Sequence, residues 1–437
     1  MRPILASVAA CLVLLAGGAE PALGTGRQPP AASGGQGSFA RATTTTGAQR
    51  SLDSALDQGM RAAGSYSGAA VLDLTTGQRL YSASADTARL PASVEKLYTT
   101  SVALAELGAA GTLGTQVLGV GARRGATFTG TLYLRGGGDP SFGSAGFDRA
   151  NYGTGTTMQR LVSALIAATG IRSLSGSVVA DETRFDSRRG TPATGFAPSA
   201  DVEGELSALS YNRGWADSAG TVYYEHPALE AGQQFVSALR AAGVRVPGRT
   251  SVRAGRTPAG AQTLTQVHSP PLATLIALTN APSDNFFAEM LLKDLGAHYG
   301  AGGTTAAGAA VVRTQVAHRF GLHPRLNDGS GLSRHDRTTP SDVVSLLSQQ
   351  AADRPFTNSL AVAGETGTLQ DEMRGTYAHG RCRGKTGTLS DVSNVVGYCR
   401  AADGHTLAYA FMMNGIKPDY AHPIQDRMQV ALARYGG

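Results

Sequence analysis

The distribution of hydrophobic and polar residues predicts a series of strands and helices after about residue 50. Residues 65–74 and 78–82 are rich in residues that suit a pleated surface, so they are predicted to form two strands around a turn. Apolar positions at helical spacing then run from Leu97 to Leu107 and stop at Gly108, which predicts a helix. Further along, the pattern predicts one strand and two helices, at residues 128–134, 158–168 and 231–242. We therefore expect a mixed α/β chain.

The first residues have the pattern of an export signal. A basic residue precedes an apolar run from Ile4 to Leu15, and small residues follow, so residues 1–24 are predicted to be a signal peptide. This run is too short to span a bilayer. Cys11 also ends a stretch that resembles a lipobox, and lipidation of this cysteine is an alternative to simple cleavage. The mature protein is in either case predicted to work outside the cytoplasm.

Composition limits the remaining possibilities. Residues 25–49 are rich in Gly, Ala, Ser, Thr and Pro, which predicts a flexible leader. The length of 437 residues favours two folded domains after it. The net charge of +6 is compatible with an anionic cell wall, but the arginines are scattered and do not indicate a nucleic-acid partner. The nine histidines show no metal-ligand spacing, so we expect neither a metal nor a cofactor.

Lysine is rare in this chain, and one lysine follows a serine at a suggestive distance. Only four of the 38 basic residues are lysines, and Lys96 lies three positions after Ser93. At this spacing on a helix, the hydroxyl and the amine leave the same face and can share a hydrogen bond. Unpaired N–H groups at the helix start can in addition face a developing anion. Alone, a Ser-x-x-Lys pattern is weak, because coincidence produces it often.

A lysine base needs a special environment. Its ordinary pKa of about 10.4 leaves it protonated at neutral pH, so burial or a nearby cation must lower that pKa. Lys385 is the candidate cation, and it lies in the stretch Arg-Gly-Lys-Thr-Gly-Thr at residues 383–388. We expect Gly387 to let a substrate backbone run close to this segment, whose cation and hydroxyls suit a carboxylate. An ordinary surface turn is the alternative.

A third stretch, Ser283-Asp284-Asn285, precedes an apolar-periodic helix. These residue types cap helices, and taken alone the stretch is best explained as a cap. In the order Ser93-x-x-Lys96, Ser283-x-Asn285 and Lys385-Thr386-Gly387, however, the three stretches resemble the motif set of serine β-lactamases and penicillin-binding proteins.

The resemblance extends to the class C low-molecular-mass penicillin-binding proteins, a family of D-alanyl-D-alanine carboxypeptidases and endopeptidases. It covers most of the chain after residue 60. Further stretches carry it: Leu134-Arg-Gly-Gly-Gly-Asp-Pro-Ser, Ser207-Ala-Leu-Ser-Tyr-Asn and Asn327-Asp-Gly-Ser-Gly-Leu-Ser-Arg.

This resemblance implies an α/β (α+β) fold of the serine β-lactamase and DD-peptidase type. A transpeptidase-type domain, an antiparallel sheet flanked by helices, would combine residues 50–110 with 262–437, and residues 111–261 would form an inserted second domain. The family commonly carries a further small domain after the Ser207 stretch. Here only about 20 residues precede the next predicted helix, so that domain is predicted to be missing.

The resemblance also implies a role for each motif residue. Ser93 would attack the carbonyl of the penultimate D-alanine, Lys96 would take its proton, and Ser283 would pass a proton to the leaving D-alanine. Asn285 would bind the substrate amide, and the terminal carboxylate would be bound by Lys385, Thr386 and Thr388. The backbone N–H groups of Ser93 and Thr388 would stabilise the oxyanion.

The implied substrate is a peptidoglycan stem peptide that ends in D-Ala-D-Ala, and β-lactam antibiotics would be covalent inhibitors. Endopeptidase action is possible in the same family, and a β-lactamase or a low-turnover penicillin sensor remain as alternatives. No pocket for the third residue of the stem peptide is evident. Three acidic residues are candidates near the predicted insertion but are expected to be solvated: Asp201, Glu203 and Glu205.

Two cysteines, Cys382 and Cys399, remain after the signal peptide, and an exported chain can keep them as a disulfide. They lie on two predicted strands joined at residues 390–394. If these strands are antiparallel neighbours, a pairing of 382 with 399 also pairs 385 with 396. We therefore predict a disulfide, with two free thiols as the alternative.

Overall fold

The computed structural model describes residues 46–436. It contains both α-helices and strands, as the hydrophobic pattern predicts, together with four short 3-10 turns. The helices are α1 (Gly47–Ala63), α2 (Lys96–Leu107), α3 (Ala145–Asn151), α4 (Met158–Thr169), α5 (Pro227–Ala241), α6 (Leu272–Asn280), α7 (Asn285–Tyr299), α8 (Thr305–Phe320), α9 (Pro340–Gln350), α10 (Arg354–Asn358) and α11 (Pro418–Ala433).

The strands form two large sheets and one small one. They are β1 (Gly68–Asp73), β2 (Arg79–Ala83), β3 (Gly114–Arg124), β4 (Thr127–Arg135), β5 (Phe142–Gly143), β6 (Thr156–Thr157), β7 (Ser173–Asp181), β8 (Val252–Ala254), β9 (Gln262–His268), β10 (Ala361–Val362), β11 (Cys382–Leu389), β12 (Val392–Arg400) and β13 (Thr406–Asn414). The first sheet has the order β10-β11-β12-β13-β1-β2, and the second has the order β8-β7-β4-β3-β9.

The first sheet is antiparallel throughout and is covered on both faces, which confirms the predicted fold class. Alternate residues of its central strands point to opposite sides. Val396 and Ala410 face a core that includes α2, α6 and α7, whereas Val395 and Phe411 face α1 and α11. Because both faces are apolar, β12 is buried along nearly its whole length.

The second sheet is mixed. Its β3 pairs antiparallel with β4 and β9, whereas β7 runs parallel to β4 and β8. One face packs against α4 and α5 through an apolar core that includes Leu161 and Phe235. Between the 3-10 turn at Asn212–Gly214 and the start of α5 the chain makes only one short bridge, from Trp215 to Tyr223.

Two predicted boundaries differ from the structure. The strand β9 lies beyond the predicted insertion limit at residue 261. It nevertheless belongs to the second sheet, because it pairs with the edge of β3. The helix α1 begins at Gly47, inside the predicted leader, because Thr46 accepts a hydrogen bond from the Gln49 N–H and caps it. The predicted signal peptide and almost all of the leader lie outside the described residues. Within residues 46–436, no helix is long and apolar enough to cross a membrane.

Candidate active site

Ser93 lies in the 3-10 turn Ala92–Glu95, which leads directly into α2. The turn has an uncommon backbone, because Ala92 adopts φ 48°. Two glycines let neighbouring segments approach it. A Cβ on Gly331 would lie 1.9 Å from the Ala92 carbonyl oxygen, and one on Gly387 would lie 2.5 Å from the Pro91 carbonyl oxygen. Gly387 thus permits the close approach of the turn that carries Ser93, and the expectation that it also lets a substrate backbone run close stays a prediction.

Lys96 begins α2 and is completely buried. Its Nζ lies 2.9 Å from Ser93 Oγ, 2.5 Å from Asn285 Oδ1 and 2.8 Å from the Ser330 carbonyl oxygen. A lysine base needs burial or a nearby cation to lower its pKa. Burial lowers the pKa of Lys96 to about 8, although nearby carboxylates, Glu203 first among them, oppose the shift.

Lys385 is the second buried lysine of the site and lies on β11. Burial lowers its pKa well below the ordinary value, and the positive charge of Lys96 lowers it further. Its Nζ donates a hydrogen bond to the Thr386 carbonyl oxygen at 2.7 Å. Because the two buried ammonium groups would repel each other, the state in which Lys96 and Lys385 are both protonated is disfavoured.

The stretch Ser283-Asp284-Asn285 both caps a helix and reaches the Ser93–Lys96 pair, so both interpretations of its sequence apply. Asp284, not Ser283, caps α7, because its carboxylate accepts a hydrogen bond from the Phe287 N–H at 2.9 Å. The Asn285 side chain does not cap the helix. Its amide oxygen accepts a hydrogen bond from Lys96, and its amide nitrogen donates one to the Asp201 carbonyl oxygen at 2.6 Å. Ser283 adopts φ 70° in the turn before α7, and its hydroxyl makes no hydrogen bond within residues 46–436.

Thr386 and Thr388 alternate with Lys385 along β11, so their side chains leave the opposite face of the sheet. The Thr386 hydroxyl donates a hydrogen bond to Thr368 Oγ1 at 2.8 Å. Both threonines line a cavity of about 140 Å³. On the side away from β12, β11 is paired by β10 only at residues 383 and 384, so from Lys385 onwards that edge pairs with no strand of the described residues.

The loop around Gly329 holds Lys96 from the other side and has no role among the sequence-based predictions. Glu289, on α7, accepts hydrogen bonds from the N–H groups of Gly329 and Ser330 at 2.9 and 2.8 Å, which aims the Ser330 carbonyl at Lys96. Burial raises the pKa of Glu289 to about 7. The stretch around Gly329 was visible in the sequence, but only the fold brings it to the lysine.

Of the three acids that were expected to be solvated, Asp201 is exposed as expected, whereas Glu203 and Glu205 are not simply solvated. The Glu203 carboxylate accepts a hydrogen bond from the Asn285 N–H at 2.9 Å, and Asp201 holds the Asn285 amide through its carbonyl. Glu205 is buried, and burial raises its pKa to about 7. The buried Arg213 forms an ion pair with Asp284 and so ties this segment to the start of α7.

The predicted disulfide is confirmed. Cys382 and Cys399 are bonded across β11 and β12, and the register pairs 382 with 399 and 385 with 396, as expected. The connection is shorter than predicted, because pairing continues to Leu389 and Val392 and leaves a two-residue turn.

Comparisons with known proteins agree with this geometry. The sequence profile of the D-Ala-D-Ala carboxypeptidase 3 (S13) family matches residues 48–208 and 212–435. A D-alanyl-D-alanine carboxypeptidase from an Actinomadura species is 32% identical, over 86% of this chain and 82% of the relative. Carboxypeptidase DacB from Mycolicibacterium smegmatis is 29% identical, over 80% of this chain and 76% of the relative.

Solved structures show the same fold. Penicillin binding protein 4 (dacB) from Haemophilus influenzae aligns with a TM-score of 0.71 at 20% identity, over 87% of this chain and 99% of that one. A predatory peptidoglycan endopeptidase from Bdellovibrio bacteriovorus aligns with a TM-score of 0.50 at 17% identity, over 80% of this chain and 86% of that one. The chain belongs to the D-Ala-D-Ala carboxypeptidase 3 (S13) family, whose members are serine-type hydrolases.

Proposed function

We propose that this chain removes the terminal D-alanine from peptidoglycan stem peptides through an acyl-enzyme on Ser93. The observation that carries the proposal is the 2.9 Å contact between the Ser93 hydroxyl and the amine of a completely buried Lys96. A hydroxyl is a weak nucleophile by itself and needs an adjacent base of lowered pKa. Lys96 meets that requirement, because burial lowers its pKa to about 8.

In the proposed first step, Ser93 Oγ attacks the carbonyl carbon of the penultimate D-alanine, and Lys96 accepts the hydroxyl proton. The C–N bond then breaks as the proton held by Lys96 moves through the Ser283 hydroxyl to the departing amine, which leaves Lys96 neutral again. Water attacks the resulting ester with Lys96 again as the base, which releases the shortened peptide and restores Ser93. The free hydroxyl of Ser283 and its position two residues before Asn285 support its part in this relay.

Substrate binding is assigned to two groups of residues. Asn285 would hold a substrate amide, and Lys385 with Thr386 and Thr388 would hold the terminal carboxylate at the open edge of β11. The backbone N–H groups of Ser93 and Thr388 would stabilise the oxyanion. A bound carboxylate favours the charged form of Lys385, and that charge in turn disfavours protonation of Lys96. Substrate binding would thus help to prepare the base.

The same site accounts for inhibition by β-lactams. These compounds present a strained amide next to a carboxylate, so Ser93 would attack the ring while Lys385 holds the anion. A complex with a β-lactam is known for penicillin binding protein 4 from Haemophilus influenzae, and a penicillin G acylated form is known for the Bdellovibrio endopeptidase. We expect penicillin to acylate this chain in the same manner.

Two broader assignments accompany the site. We propose a catalytic domain built around the first sheet and an inserted domain built around the second, with the insertion extended to include β9. We also propose export by a signal at residues 1–24, or a lipid anchor at Cys11. A structural neighbour is named a peptidoglycan endopeptidase, peptidoglycan lies on the envelope side of the membrane, and the disulfide suits such a compartment.

Endopeptidase action is the second candidate, because the fold is shared with a peptidoglycan endopeptidase. Mass analysis of purified wall peptides after incubation distinguishes the two activities. Loss of one alanine identifies a carboxypeptidase, whereas conversion of crosslinked dimers to monomers identifies an endopeptidase.

Substitution of the nucleophile tests the proposal as a whole. Ser93→Ala should lower acylation by fluorescent penicillin, and release of D-alanine, by about four orders of magnitude or more while the protein stays folded. Normal labelling of Ser93→Ala would contradict the assignment. The acyl-enzyme lifetime then separates the alternatives: it is long with penicillin and short with peptide for a carboxypeptidase, short with penicillin for a β-lactamase, and long with both for a sensor.

A further inference from the structure

A second cleft, of about 670 Å³, lies between the second sheet and the C-terminal end of α7. The two ends of α7 belong to different sites, since Asn285 at its start contacts Lys96 and His298 near its end lines the cleft. At 1.5 Å per residue these two positions are about 20 Å apart along the helix. The cleft is therefore separate from the catalytic cluster, although one rigid element connects them.

The floor of this cleft is one row of polar residues across four strands. The sheet register places them side by side in the order Asp181, Arg135, Gln116 and Gln266. Their chain neighbours point into the apolar core beneath α4 and α5, so the row points out of the opposite face. Arg135 Nε donates to Gln116 Oε1 at 3.0 Å, and Gln116 Nε2 donates to Gln266 Oε1 at 2.9 Å.

Asp181 organises the rim of the cleft. Its buried carboxylate accepts hydrogen bonds from the Thr183 N–H at 2.9 Å and the Thr257 N–H at 2.7 Å. These two bonds fix the backbone beside Arg184 and Arg256, which both line the cleft. The Gly255 N–H, bonded to the Ala180 carbonyl oxygen at 3.0 Å, holds the other side of Arg256.

The two rim arginines differ in their partners. Arg184 forms an ion pair with Asp294 at 2.6 Å and also contacts His298. Arg256 is exposed, and its guanidinium meets no partner within residues 46–436. An arginine whose backbone is fixed and whose guanidinium has no partner offers several N–H donors in a geometry that matches a carboxylate or a phosphate. The glutamine amides on the floor can bind hydroxyl groups.

We propose that this cleft binds an anionic, hydroxyl-rich wall polymer, with Arg256 on its carboxylate or phosphate group and Gln116 and Gln266 on its hydroxyls. The volume is suited to a segment of a few sugar or polyol units. The inference rests on the proposed function, because it identifies the cleft as the place where the wall is held while a peptide reaches Ser93. Arg135, to which the proposed catalytic mechanism assigns no part, would form part of the floor of this binding site.

The experiment measures binding without turnover. Fluorescence anisotropy follows two labelled probes on the full-length Ser93→Ala protein: a carboxylate-bearing glycan chain free of stem peptides and a phosphate-bearing polyol chain. At least one should bind, more weakly as salt rises, and the probe that binds identifies the anion. Arg256→Gln should raise its Kd about tenfold, the loss expected for one charge-assisted contact. Arg253→Gln is the matched control, because this arginine is also exposed on the same segment but does not line the cleft.

Absence of binding for both probes, or equal Kd values for Arg256→Gln and Arg253→Gln, would overturn the proposal. A second readout separates it from the proposed function. In the protein that retains Ser93, Arg256→Gln should leave penicillin acylation and the cleavage of a short peptide unchanged while it raises the KM for polymeric wall. Failure of acylation in the unsubstituted protein would refute the catalytic assignment, but the polymer-binding result would stand by itself.

Discussion

The two lysines of the site gain their chemistry from burial. Lys96 and Lys385 are both completely enclosed, and each has a pKa that burial lowers, whereas Lys417 is exposed at the start of α11. An arginine could not replace Lys96 as a base, because it stays protonated in proteins. The scarcity of lysine made these positions conspicuous in the sequence, but their protonation depends on the surroundings that the fold supplies.

Substitution of Lys96 by arginine separates its charge from its basicity. Lys96→Arg keeps a cation beside Ser93 but cannot accept the hydroxyl proton, so acylation by penicillin should fall about a thousandfold. Lys417→Arg is the matched control and should label at the normal rate. Stopped-flow measurement of acylation provides the comparison, and a Lys96→Arg protein that labels normally would exclude this lysine as the base.

The pH dependence of acylation should follow the titration of Lys96. In the proposed mechanism its amine accepts the Ser93 proton, which requires the neutral form, and burial lowers its pKa to about 8. The acylation rate constant kcat/KM should therefore rise with pH up to about 8 and then level off, since this parameter reports the free enzyme. Rates for penicillin measured between pH 5.5 and 9.5 test this expectation. A rate that falls as pH rises through this range would contradict it.

At the scale of elements, the site depends on how closely β11 approaches the turn that carries Ser93. The turn lies against Gly387, and the Asn394 side chain on the neighbouring β12 donates hydrogen bonds to the carbonyl oxygens of Leu90 and Pro91 at 2.9 and 2.8 Å. The sheet thus fixes the turn and the lysine strand relative to each other. The disulfide ties the far end of β11 to β12.

Gly387→Ala tests this close approach. The added Cβ would lie 2.5 Å from the Pro91 carbonyl oxygen, so β11 and the turn must move apart, and acylation should fall by about a hundredfold. Gly260→Ala is the control, because its Cβ would meet no atom within 4 Å. Penicillin labelling and thermal unfolding are measured for both proteins. If Gly387→Ala labels as fast as Gly260→Ala, the contact does not matter for the site.

Removal of the disulfide should affect stability more than chemistry. The bond closes a loop with a sequence separation of 17 residues. Without it the unfolded chain gains conformational freedom, which lowers the free energy of unfolding by about 3 kcal/mol. The Cys382→Ala, Cys399→Ala double substitution should therefore lower the free energy of unfolding by about that amount and leave measurable labelling. Denaturant unfolding of the oxidised, reduced and doubly substituted proteins provides the measurement. Equal stability of all three would show that the bond adds nothing.

At the scale of the whole molecule, α7 connects the two large sheets. Its start carries Asn285, whereas Lys293 in its middle binds the Asp186 carboxylate at 2.6 Å and the Arg188 carbonyl oxygen at 2.8 Å. Asp186 and Arg188 follow the last residue of β7 in the second sheet. The third buried lysine of the chain is thus a structural link and lies outside the catalytic cluster.

Lys293→Met should weaken this link without removing the chemistry. The substitution leaves Asp186 without its cation, but the carboxylate is partly exposed, so we expect a loss of about 2 kcal/mol in the free energy of unfolding. Acylation of the folded protein should stay within about threefold of normal, since the hydrogen bonds of Lys293 go to Asp186 and Arg188, outside the catalytic cluster. Denaturant unfolding and penicillin labelling at low temperature measure the two effects. Loss of labelling in a protein that remains folded would contradict a purely structural role.

Local pattern alone determined much of this molecule. The hairpin before the first motif, the helix that ends at Gly108 and the register of Cys382 with Cys399 all follow from the spacing of apolar residues and turns. The Ser93–Lys96 contact was equally predictable, because residues three apart at a helix start face the same side. In each case the interacting residues are close in sequence or belong to adjacent strands.

Only the tertiary structure decided the environment of these residues. The approach of Asn285 and of the Ser330 carbonyl to Lys96 joins segments that are 189 and 234 positions distant from it in the chain. Likewise, the burial that lowers the pKa of Lys96 and the polar row that lines the second cleft arise when distant segments pack together. Hydrophobic periodicity tells which face of an element is buried, but it carries no information about which polar group from another part of the chain will meet that face.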